Sequence, residues 1–321
     1  MPRDQLSRQL PLTLEMKIAY LIIAHRYPEQ VVRLVSRLNT PEVVFLIHLD
    51  KKADNDTYQV LLDAFMGQAN VFFIKRCVCH WAGFGIIRAC MQGMREALER
   101  GLKFDYLALL SGQDYPIKTN EYISQFLQER LGTSFIHHNP FPYAAWKDDD
   151  NGWDRIRYWH FIRSTARYSY SRRNLFTSRI GRRLLTPLLH VALRLFPHQR
   201  TFPAGWHPYG GAQFWCLHRQ HVEYIDQVVR QRPALVRFFR FVYVPDEIFF
   251  QTLMGNSPYT GAIHNDTLTF VEWERPGATL YKSDMANLLA SPYLFARKFD
   301  TTVDAEVLDL IDQQILALPT G

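Results

Sequence analysis

The chain has 321 residues, which is enough for one large α/β domain with a sizeable buried core. Hydrophobic residues make up 47% of it and charged residues 21%, a composition that excludes an intrinsically disordered chain. The formal net charge is +6, and the four cysteines form no CxxC pair, so neither a disulfide framework nor a zinc site is expected. Cys77 and Cys79 would share one face of a strand, but two ligands do not make a metal site.

Apolar runs of membrane-spanning length are missing from the sequence. No segment reaches about 18 consecutive apolar residues, so no transmembrane helix is predicted. The first apolar run begins after Lys17 and ends at His25, which makes it too short for a secretory signal and suits a core strand instead. A cytoplasmic location is therefore expected, with peripheral docking on the inner face of the membrane as an addition.

The first half of the chain alternates between apolar runs and segments of helical spacing. The runs 17–24 and 43–49 are rich in β-branched residues and lack polar interruptions, as in parallel strands covered on both faces. Strands are predicted at 17–24, 43–49, 70–75 and 104–110, and helices at 28–38, 55–66, 84–99 and 119–131. This alternation predicts an α/β fold whose nucleotide-binding half, residues 17–137, is a Rossmann-like, mostly parallel sheet with helices on both faces.

The pattern breaks over residues 138–209, which are rich in Arg, Tyr, Trp and Pro. This segment is interpreted as an insertion and a candidate lid, with one amphipathic stretch at 183–195. Regular elements return in residues 210–321. Strands are predicted at 211–218 and 268–273, and helices at 220–231, 245–254 and 304–316. The whole chain, 1–321, is expected to form a single domain.

Polar or aromatic residues follow each of the first four predicted strands. His25 follows the first strand, Asp50 the second, Trp81 the third and Asp114 the fourth. Ligands bind beyond the carboxyl ends of the strands in open parallel sheets, so these positions are candidate binding residues. A single Asp after a strand is more often a turn or a helix cap. No P-loop and no GxGxxG follows the first strand, which disfavours an ATPase or a Rossmann dehydrogenase.

An Asp-x-Asp pair after a strand commonly holds a divalent metal on the diphosphate of a nucleotide-sugar. The fourth strand ends in Ser-Gly-Gln-Asp, which offers only Asp114. A formal match at Asp148–Asp150 follows no apolar strand and is interpreted as a solvated acidic turn. Without a metal, other groups must neutralise the charge of a leaving diphosphate.

Six sequence blocks occur in a recognisable order across about residues 17–300. They are IHLDKKAD (47–54), WAGFGIIRACMQGM (81–94), LLSGQDYPIKTNEYI (109–123), GGAQFWCLHRQHVEYI (210–225), VPDEIFFQTLMGNS (244–257) and the stretch from WERPG to FARKFD (273–300). Together they resemble the core-2/I-branching glycosyltransferases, which include β-1,6-N-acetylglucosaminyltransferases and peptide O-xylosyltransferases. The resemblance suggests a soluble member of bacterial type, and residues 138–208 carry none of its motifs.

The resemblance implies a GT-A-type fold and an inverting, metal-independent transfer from a UDP-sugar to a hydroxyl group of a glycan or protein. No cofactor and no metal ion are expected. It assigns the general base to Glu247 of the P-x-E block, and diphosphate binding to Lys298 and the upstream Arg275, with Arg297 assisting. Residues 210–321 become the acceptor and diphosphate-binding half. The donor stays open between UDP-N-acetylglucosamine and UDP-xylose, although several blocks are closer to the xylosyltransferase branch. The donor-binding candidates are Asp50, Trp81, Asp114, Arg275, Arg297 and Lys298.

Glu247 can be weighed on physical grounds alone. It lies in the first turn of the predicted helix 245–254, which begins with Pro245, and the helix dipole favours a carboxylate there. Such a Glu would be ready as a base, but a weak one unless burial raises its pKa. Asp246 is a rival, although a local backbone role suits it better. Trp81, Trp206 and Trp273 could each stack on a sugar or on uracil, but packing in a core is the commoner use of a Trp.

A basic block offers an alternative function. Residues 155–222 contain twelve arginines and no Asp or Glu, whereas the rest of the chain is acidic overall. The alternative is a non-catalytic protein that engages nucleic acid or an anionic membrane through this block. In a weaker form, the same arginines and the stretch 183–195 dock the enzyme on a membrane surface.

Overall fold

The computed structural model describes residues 16–163, 166–170 and 199–316. The strands within these residues are β1 (Ile18–Ala24), β2 (Val43–Leu49), β3 (Val71–Phe73), β4 (Tyr106–Ser111), β5 (Asp114–Pro116), β6 (Ser134–Ile136), β7 (Asn139–Pro140), β8 (Trp159–Arg163), β9 (Ala166–Tyr170), β10 (Tyr209–Gly210), β11 (Trp215–His218), β12 (Ile263–His264), β13 (Thr269–Val271) and β14 (Phe295–Arg297). The α-helices are α1 (Pro28–Leu38), α2 (Asn55–Ala64), α3 (Gly85–Glu99), α4 (Asn120–Gln128), α5 (Trp153–Arg157), α6 (Arg219–Gln231), α7 (Pro233–Phe239), α8 (Phe249–Gly255), α9 (Met285–Ala290) and α10 (Glu306–Gln314).

Seven strands form the central sheet in the order β12-β6-β11-β4-β1-β2-β3. Strands β3, β2, β1 and β4 are parallel neighbours, and β12 is parallel to β6. Only β11 runs against its neighbours β4 and β6 within this sheet. The predicted α/β fold with a mostly parallel sheet is therefore confirmed, and strands β1, β2 and β4 end at the same edge.

The two faces of this sheet carry separate hydrophobic cores, as expected for strands without polar interruptions. Along β1, Tyr20 and Ile22 belong to one core and Ala19 and Leu21 to the other. Helices α1, α2 and α10 pack on the first face, and α3, α6 and α8 on the second, so the prediction of helices on both faces is confirmed. Gly93 lets α3 approach β1, because a Cβ atom there would stand 2.5 Å from a Leu21 methyl group.

Local sequence signals account for several helix starts. Pro28 occupies the first turn of α1, where its missing N–H costs no hydrogen bond. Asp54 caps α2 by accepting a hydrogen bond from the Thr57 N–H at 2.6 Å, and Thr119 caps α4 by accepting one from Tyr122. These caps explain why the helix boundaries in the first half lie close to the predicted ones.

One of the predictions for the second half requires correction. The single helix expected at 245–254 is a 3₁₀ turn, Pro245–Glu247, followed by α8, because Ile248 adopts a φ of −131° and interrupts the helix. Glu247 therefore precedes the α-helix rather than standing in its first turn. The strand predicted at 268–273 is confirmed as β13, which lies in a separate sheet, β13-β14-β5, whose other two strands the sequence did not predict.

The described part of the predicted insertion 138–209 has regular structure. Strand β7 pairs with β10, a 3₁₀ segment spans Ala144–Gly152, and α5 leads into the hairpin β8-β9. The amphipathic stretch 183–195 lies outside the described residues. Within the described ranges, no helix combines the length and the apolar character needed to cross a bilayer.

Candidate active site

A cavity of about 640 Å³ opens at the edge where β1, β2 and β4 end. Its wall includes residues that directly follow these strands, namely His25, Asp50 and Gly112. The start of the antiparallel β11 reaches the same edge, so Phe214 also lines the cavity. Of the four candidates that follow predicted strands, His25, Asp50 and Trp81 therefore stand around one cavity, whereas Asp114 does not line it.

Asp50 stands in one wall of this cavity and is only 4% exposed. Its Oδ1 atom accepts hydrogen bonds from the backbone N–H groups of Lys52 at 2.9 Å and Cys79 at 3.3 Å. The Lys52 ammonium lies 3.5 Å from Oδ2. These contacts fix the carboxylate orientation, so Asp50 is a rigid acceptor beside open space.

Trp81 and Trp273 line the cavity as exposed aromatic rings. Trp81 is 73% exposed and Trp273 69%, and the rings of Trp81 and Tyr243 form a T-shaped contact with their centroids 6.2 Å apart. The general expectation that a Trp fills a core is wrong for these two. It is right for Trp206, which packs against the hydrophobic core on the α3 face of the sheet.

Two adjacent cations, Arg297 and Lys298, line another part of the wall. The Arg297 Nε atom donates to the Asp114 carboxylate at 2.9 Å, and its guanidinium lies over the Phe214 ring. Asp114 is fully buried and also accepts from the Ser111 N–H at 2.6 Å, so it holds Arg297 from behind instead of facing the cavity. Burial, followed by the neighbouring Arg297 charge, lowers the pKa of Lys298.

Two of the predicted donor-binding residues, Arg275 and Asp114, do not line this cavity. The Arg275 guanidinium donates to both carboxylate oxygens of Asp284, at 2.6 and 2.8 Å, and to the Thr279 carbonyl at 2.7 Å. The segment that it braces also holds Lys298, because the Lys298 N–H donates to the Ala278 carbonyl at 2.9 Å. In this arrangement Arg275 supports the backbone beside Lys298.

Glu247 lines the cavity as the outer member of a chain of ion pairs. Its Oε2 atom lies 2.7 Å from Nη1 of Arg155, whose Nε lies 2.7 Å from the Asp149 carboxylate. The Arg155 guanidinium also stacks on Trp146, with 3.7 Å to the ring centroid. Burial raises the pKa of Glu247, and the charge of Arg155 opposes that rise. The carboxylate is thus fixed in position and made more basic than a solvent-exposed Glu.

Asp246, next to Glu247, also stands in the cavity wall and is only 6% exposed. Burial, reinforced by the charge of Glu247, raises the pKa of Asp246 to about 7. Its Oδ1 atom has no hydrogen-bond partner among the described residues. The cavity therefore holds two adjacent carboxyl groups, of which Glu247 is braced by a cation and Asp246 is not.

Two residues of this arrangement escaped the sequence interpretation. Arg155 was counted within the basic block, although its partner Glu247 is 92 positions away in the chain. Asp149 was assigned to a solvated turn, which is wrong, because its side chain is 22% exposed and pairs with Arg155 in the cavity wall. The available signal was the acidic run 148–154 followed directly by Arg155 and Arg157, but it does not reveal a distant partner.

Comparison with known proteins identifies the family to which the sequence is related. The family model "Core-2/I-Branching enzyme" matches residues 18–288. Xylosyltransferase 2 of Rattus norvegicus is 28% identical over 327 residues, covering 92% of this chain and 33% of that protein. Xylosyltransferase 2 of Homo sapiens gives the same values, and xylosyltransferase 1 of Canis lupus familiaris is 25% identical over 335 residues, covering 96% of this chain and 32% of that protein. The chain thus spans about a third of the length of these relatives.

Among solved structures, the galactosyltransferase LgtC in complex with donor and acceptor sugar analogues is similar to 94% of this chain, with 98% of its own chain covered. The TM-score is 0.39 and the sequence identity 9%. The family assignment rests on the sequence match, which extends over most of the chain and includes all the predicted site residues except Arg297 and Lys298. The chain therefore belongs to the core-2/I-branching family of glycosyltransferases.

Proposed function

We propose that the protein is an inverting, metal-independent transferase of GT-A type that moves a sugar from a UDP-sugar to a hydroxyl group of a glycan or protein. One observation carries this proposal. A single cavity contains a braced carboxylate, Glu247, and a pair of cations, Arg297 and Lys298. These are the charges that an in-line displacement of a diphosphate requires, a base for the attacking hydroxyl and a counter-charge for the leaving group.

In the proposed reaction, the acceptor hydroxyl oxygen bonds to the anomeric carbon as the bond from that carbon to the UDP oxygen breaks. Glu247 takes the hydroxyl proton. Its burial makes it a better base, and its ion pair with Arg155 keeps it oriented and available in the ionised form. The configuration at the anomeric carbon inverts, because only one displacement occurs.

Arg297 and Lys298 are proposed to stabilise the departing diphosphate in place of a divalent metal. Among the described residues, Lys298 forms no ion pair, and Arg297 uses only Nε, on Asp114, so both retain donors for phosphate oxygens. The formal Asp-x-Asp segment offers less, because its second carboxylate, Asp150, pairs with Arg157 and its middle residue, Asp149, pairs with Arg155. Asp50 and Trp81 are proposed for the nucleoside end, where the first can accept hydrogen bonds and the second can stack.

The donor sugar is proposed to be xylose or N-acetylglucosamine. Relatives with the name xylosyltransferase favour UDP-xylose, at 25% to 28% identity. The chain covers only about a third of those proteins, so the acceptor is proposed only as a class, a hydroxyl group of a glycan or protein.

A donor screen in the presence of EDTA tests this proposal. Purified protein is incubated with UDP-xylose, UDP-N-acetylglucosamine, UDP-glucose and UDP-galactose, and UDP release and UDP binding are measured. We expect saturable UDP binding and hydrolysis or transfer from one of the first two donors, with EDTA having no effect. Complete loss of turnover in EDTA that manganese restores would overturn metal independence, and absence of any UDP binding would overturn the function.

The basic block gives little support to the nucleic-acid or membrane alternative within the described residues. Arg155, Arg157 and Arg219 each pair with a carboxylate of this chain. Arg200 is half-buried and donates to the Phe238 carbonyl. These arginines therefore stabilise the fold and the cavity wall, while the side chains of 163–198 lie outside the described residues. Peripheral membrane contact through that segment stays a proposal, which vesicle flotation would test.

Replacing Arg155 by Met is expected to shift the pH dependence of transfer. Because the Arg155 charge lowers the pKa of Glu247, its loss raises that pKa, and the acidic limb of the kcat/KM profile moves to higher pH. The measurement is kcat/KM for the acceptor as a function of pH, at saturating donor, for the wild type and the variant. Arg155→Lys, which retains the charge, is the matched control and should stay nearer to the wild-type limb. An unshifted limb in Arg155→Met would show that Glu247 is not the titrating base.

A further inference from the structure

Three side chains with metal-binding atoms converge beside the donor cavity. His48 is the penultimate residue of β2, and Cys77 and Cys79 lie in the segment between β3 and α3. One ligand atom of each residue lies within 4.8 Å of the others. The sequence offered only the two cysteines, which is why no site was expected, and the parallel pairing of β2 with β3 supplies the third ligand.

Two of the three ligand–ligand distances in this cluster match those around a tetrahedral ion, and the third, between the ligand atoms of Cys79 and His48, is within 4.8 Å. The two sulfur atoms are 3.9 Å apart, and the Cys77 sulfur is 3.4 Å from Nε2 of His48. With zinc–sulfur bonds of about 2.3 Å and zinc–nitrogen bonds of about 2.0–2.1 Å, a tetrahedron has sulfur–sulfur edges of about 3.8 Å and sulfur–nitrogen edges of about 3.6 Å. An ion could therefore enter with only small side-chain movements.

The surrounding backbone holds the cluster in place. The Cys77 N–H donates to Nε2 of His48 at 3.0 Å, which aims the lone pair of that nitrogen at the cysteine segment. Gly85, at the start of α3, allows this segment to pack closely, because a Cβ atom there would clash with the Val78 carbonyl and stand 2.7 Å from the Cys79 Cα. The residue types on both sides of the cluster are thus suited to bringing the three ligands together.

The imidazole of His48 can bind an ion through Nε2 without the loss of a hydrogen bond at its other nitrogen, Nδ1. The side chain is completely buried, and its Nδ1 has no hydrogen-bond partner among the described residues. A neutral imidazole with its proton on Nδ1 leaves Nε2 free for an ion, which would replace the weaker hydrogen bond from the Cys77 N–H.

We propose that His48, Cys77 and Cys79 form a binding site for a thiophilic metal ion of the zinc class. Two thiolates and one imidazole are the ligands that such ions prefer, whereas magnesium and manganese prefer oxygen. The site is therefore different from a metal on the UDP diphosphate, which the proposed mechanism does without. An ion binds both cysteines as thiolates, so affinity decreases as the pH falls. A fourth ligand would be water or a bound molecule.

The site is joined to the donor cavity through Cys79. This residue lines the cavity, and its backbone N–H donates to Oδ1 of Asp50. An ion that fixes Cys79 would also restrain the acceptor group proposed for the nucleoside end. The binding claim itself does not depend on the proposed transferase function, because it concerns three side chains whose occupancy can be measured without any donor.

A cadmium titration of the fully reduced protein tests the site. The absorbance of the cadmium–thiolate bond reports binding, and zinc competition reports the affinity for zinc. We expect one cadmium ion to bind per chain and to be displaced by zinc. Cys77→Ser and Cys79→Ser should each lower the affinity on the order of tenfold or more, because mutating a residue that only hydrogen-bonds to a metal ligand already lowers affinity by about that factor. Cys90→Ala, which removes a buried cysteine outside the cluster, should bind like the wild type.

Several results would overturn the proposal. They are absence of saturable cadmium binding, binding that Cys77→Ser leaves unchanged, and binding that Cys90→Ala abolishes. Far-ultraviolet circular dichroism of each metal-free variant establishes that it is folded, and Cys79→Ser provides a second test if Cys77→Ser does not fold. Because no UDP-sugar is present, failure of the metal site and failure of the transferase proposal give separate results.

Discussion

Replacing Glu247 by Gln is expected to lower kcat by roughly 10²–10⁴-fold, the usual contribution of a positioned general base. The amide preserves the size of the side chain but cannot take the acceptor proton. Binding of UDP should be unchanged, because the cations proposed to hold the diphosphate, Arg297 and Lys298, are left intact. The measurements are initial rates of sugar transfer over a range of donor concentrations and calorimetric titration with UDP.

Two further variants make this experiment decisive. Glu223→Gln changes an exposed Glu on α6 that does not line the cavity, so it should transfer at the wild-type rate. Asp246→Asn tests the rival carboxyl group, which burial holds partly protonated near neutral pH and which lacks a bracing cation. We expect it to cost less than Glu247→Gln. A larger loss in Asp246→Asn, or near-normal transfer by Glu247→Gln, would reassign the base.

The parts of the fold that the sequence predicted well are those determined locally. Strands β1 and β2 are continuous apolar runs that are buried on both faces, and α1 begins at Pro28 as its sequence indicates. The prediction of one helix at 245–254 was wrong because the backbone turns at Ile248, which separates the 3₁₀ segment beside the cavity from the α-helix. Nothing in the apolar spacing of that segment signals such a turn, which depends on tertiary packing.

Side-chain partners are harder to predict, since they are set by the whole fold. The pairing of Arg155 with Glu247 joins residues 92 positions apart, and that of Arg297 with Asp114 joins residues 183 positions apart. The family resemblance placed Glu247 and Lys298 among the site candidates, and the structure brings both to one cavity. The resemblance could not show that Arg275 pairs with Asp284. The same sequence blocks are compatible with an Arg275 that binds either Asp284 or the diphosphate.

Replacing Lys298 by Met is expected to lower kcat by roughly 10²–10³-fold, the cost of removing one preorganised charge from a developing anion. Met has a similar length without the ammonium group. The variant should also bind UDP more weakly while binding uridine normally, because only UDP carries the diphosphate. Lys282→Met is the matched control, since Lys282 is exposed, pairs with Glu306 at the surface and does not line the cavity.

Arg275→Met tests which arginine, Arg297 or Arg275, acts with Lys298 as the second cation at the diphosphate. If Arg297 is the second cation at the diphosphate, Arg275→Met should lose less activity than Lys298→Met, since its guanidinium is engaged by Asp284 and Thr279. Arg297→Lys is preferable to Arg297→Met, because removing the charge would leave the fully buried Asp114 unpaired and cost about 3–5 kcal/mol of stability. If Arg275→Met loses UDP affinity as severely as Lys298→Met, Arg275 must leave Asp284 when the donor binds. The cation pair would then be Arg275 and Lys298, with Arg297 serving to hold Asp114.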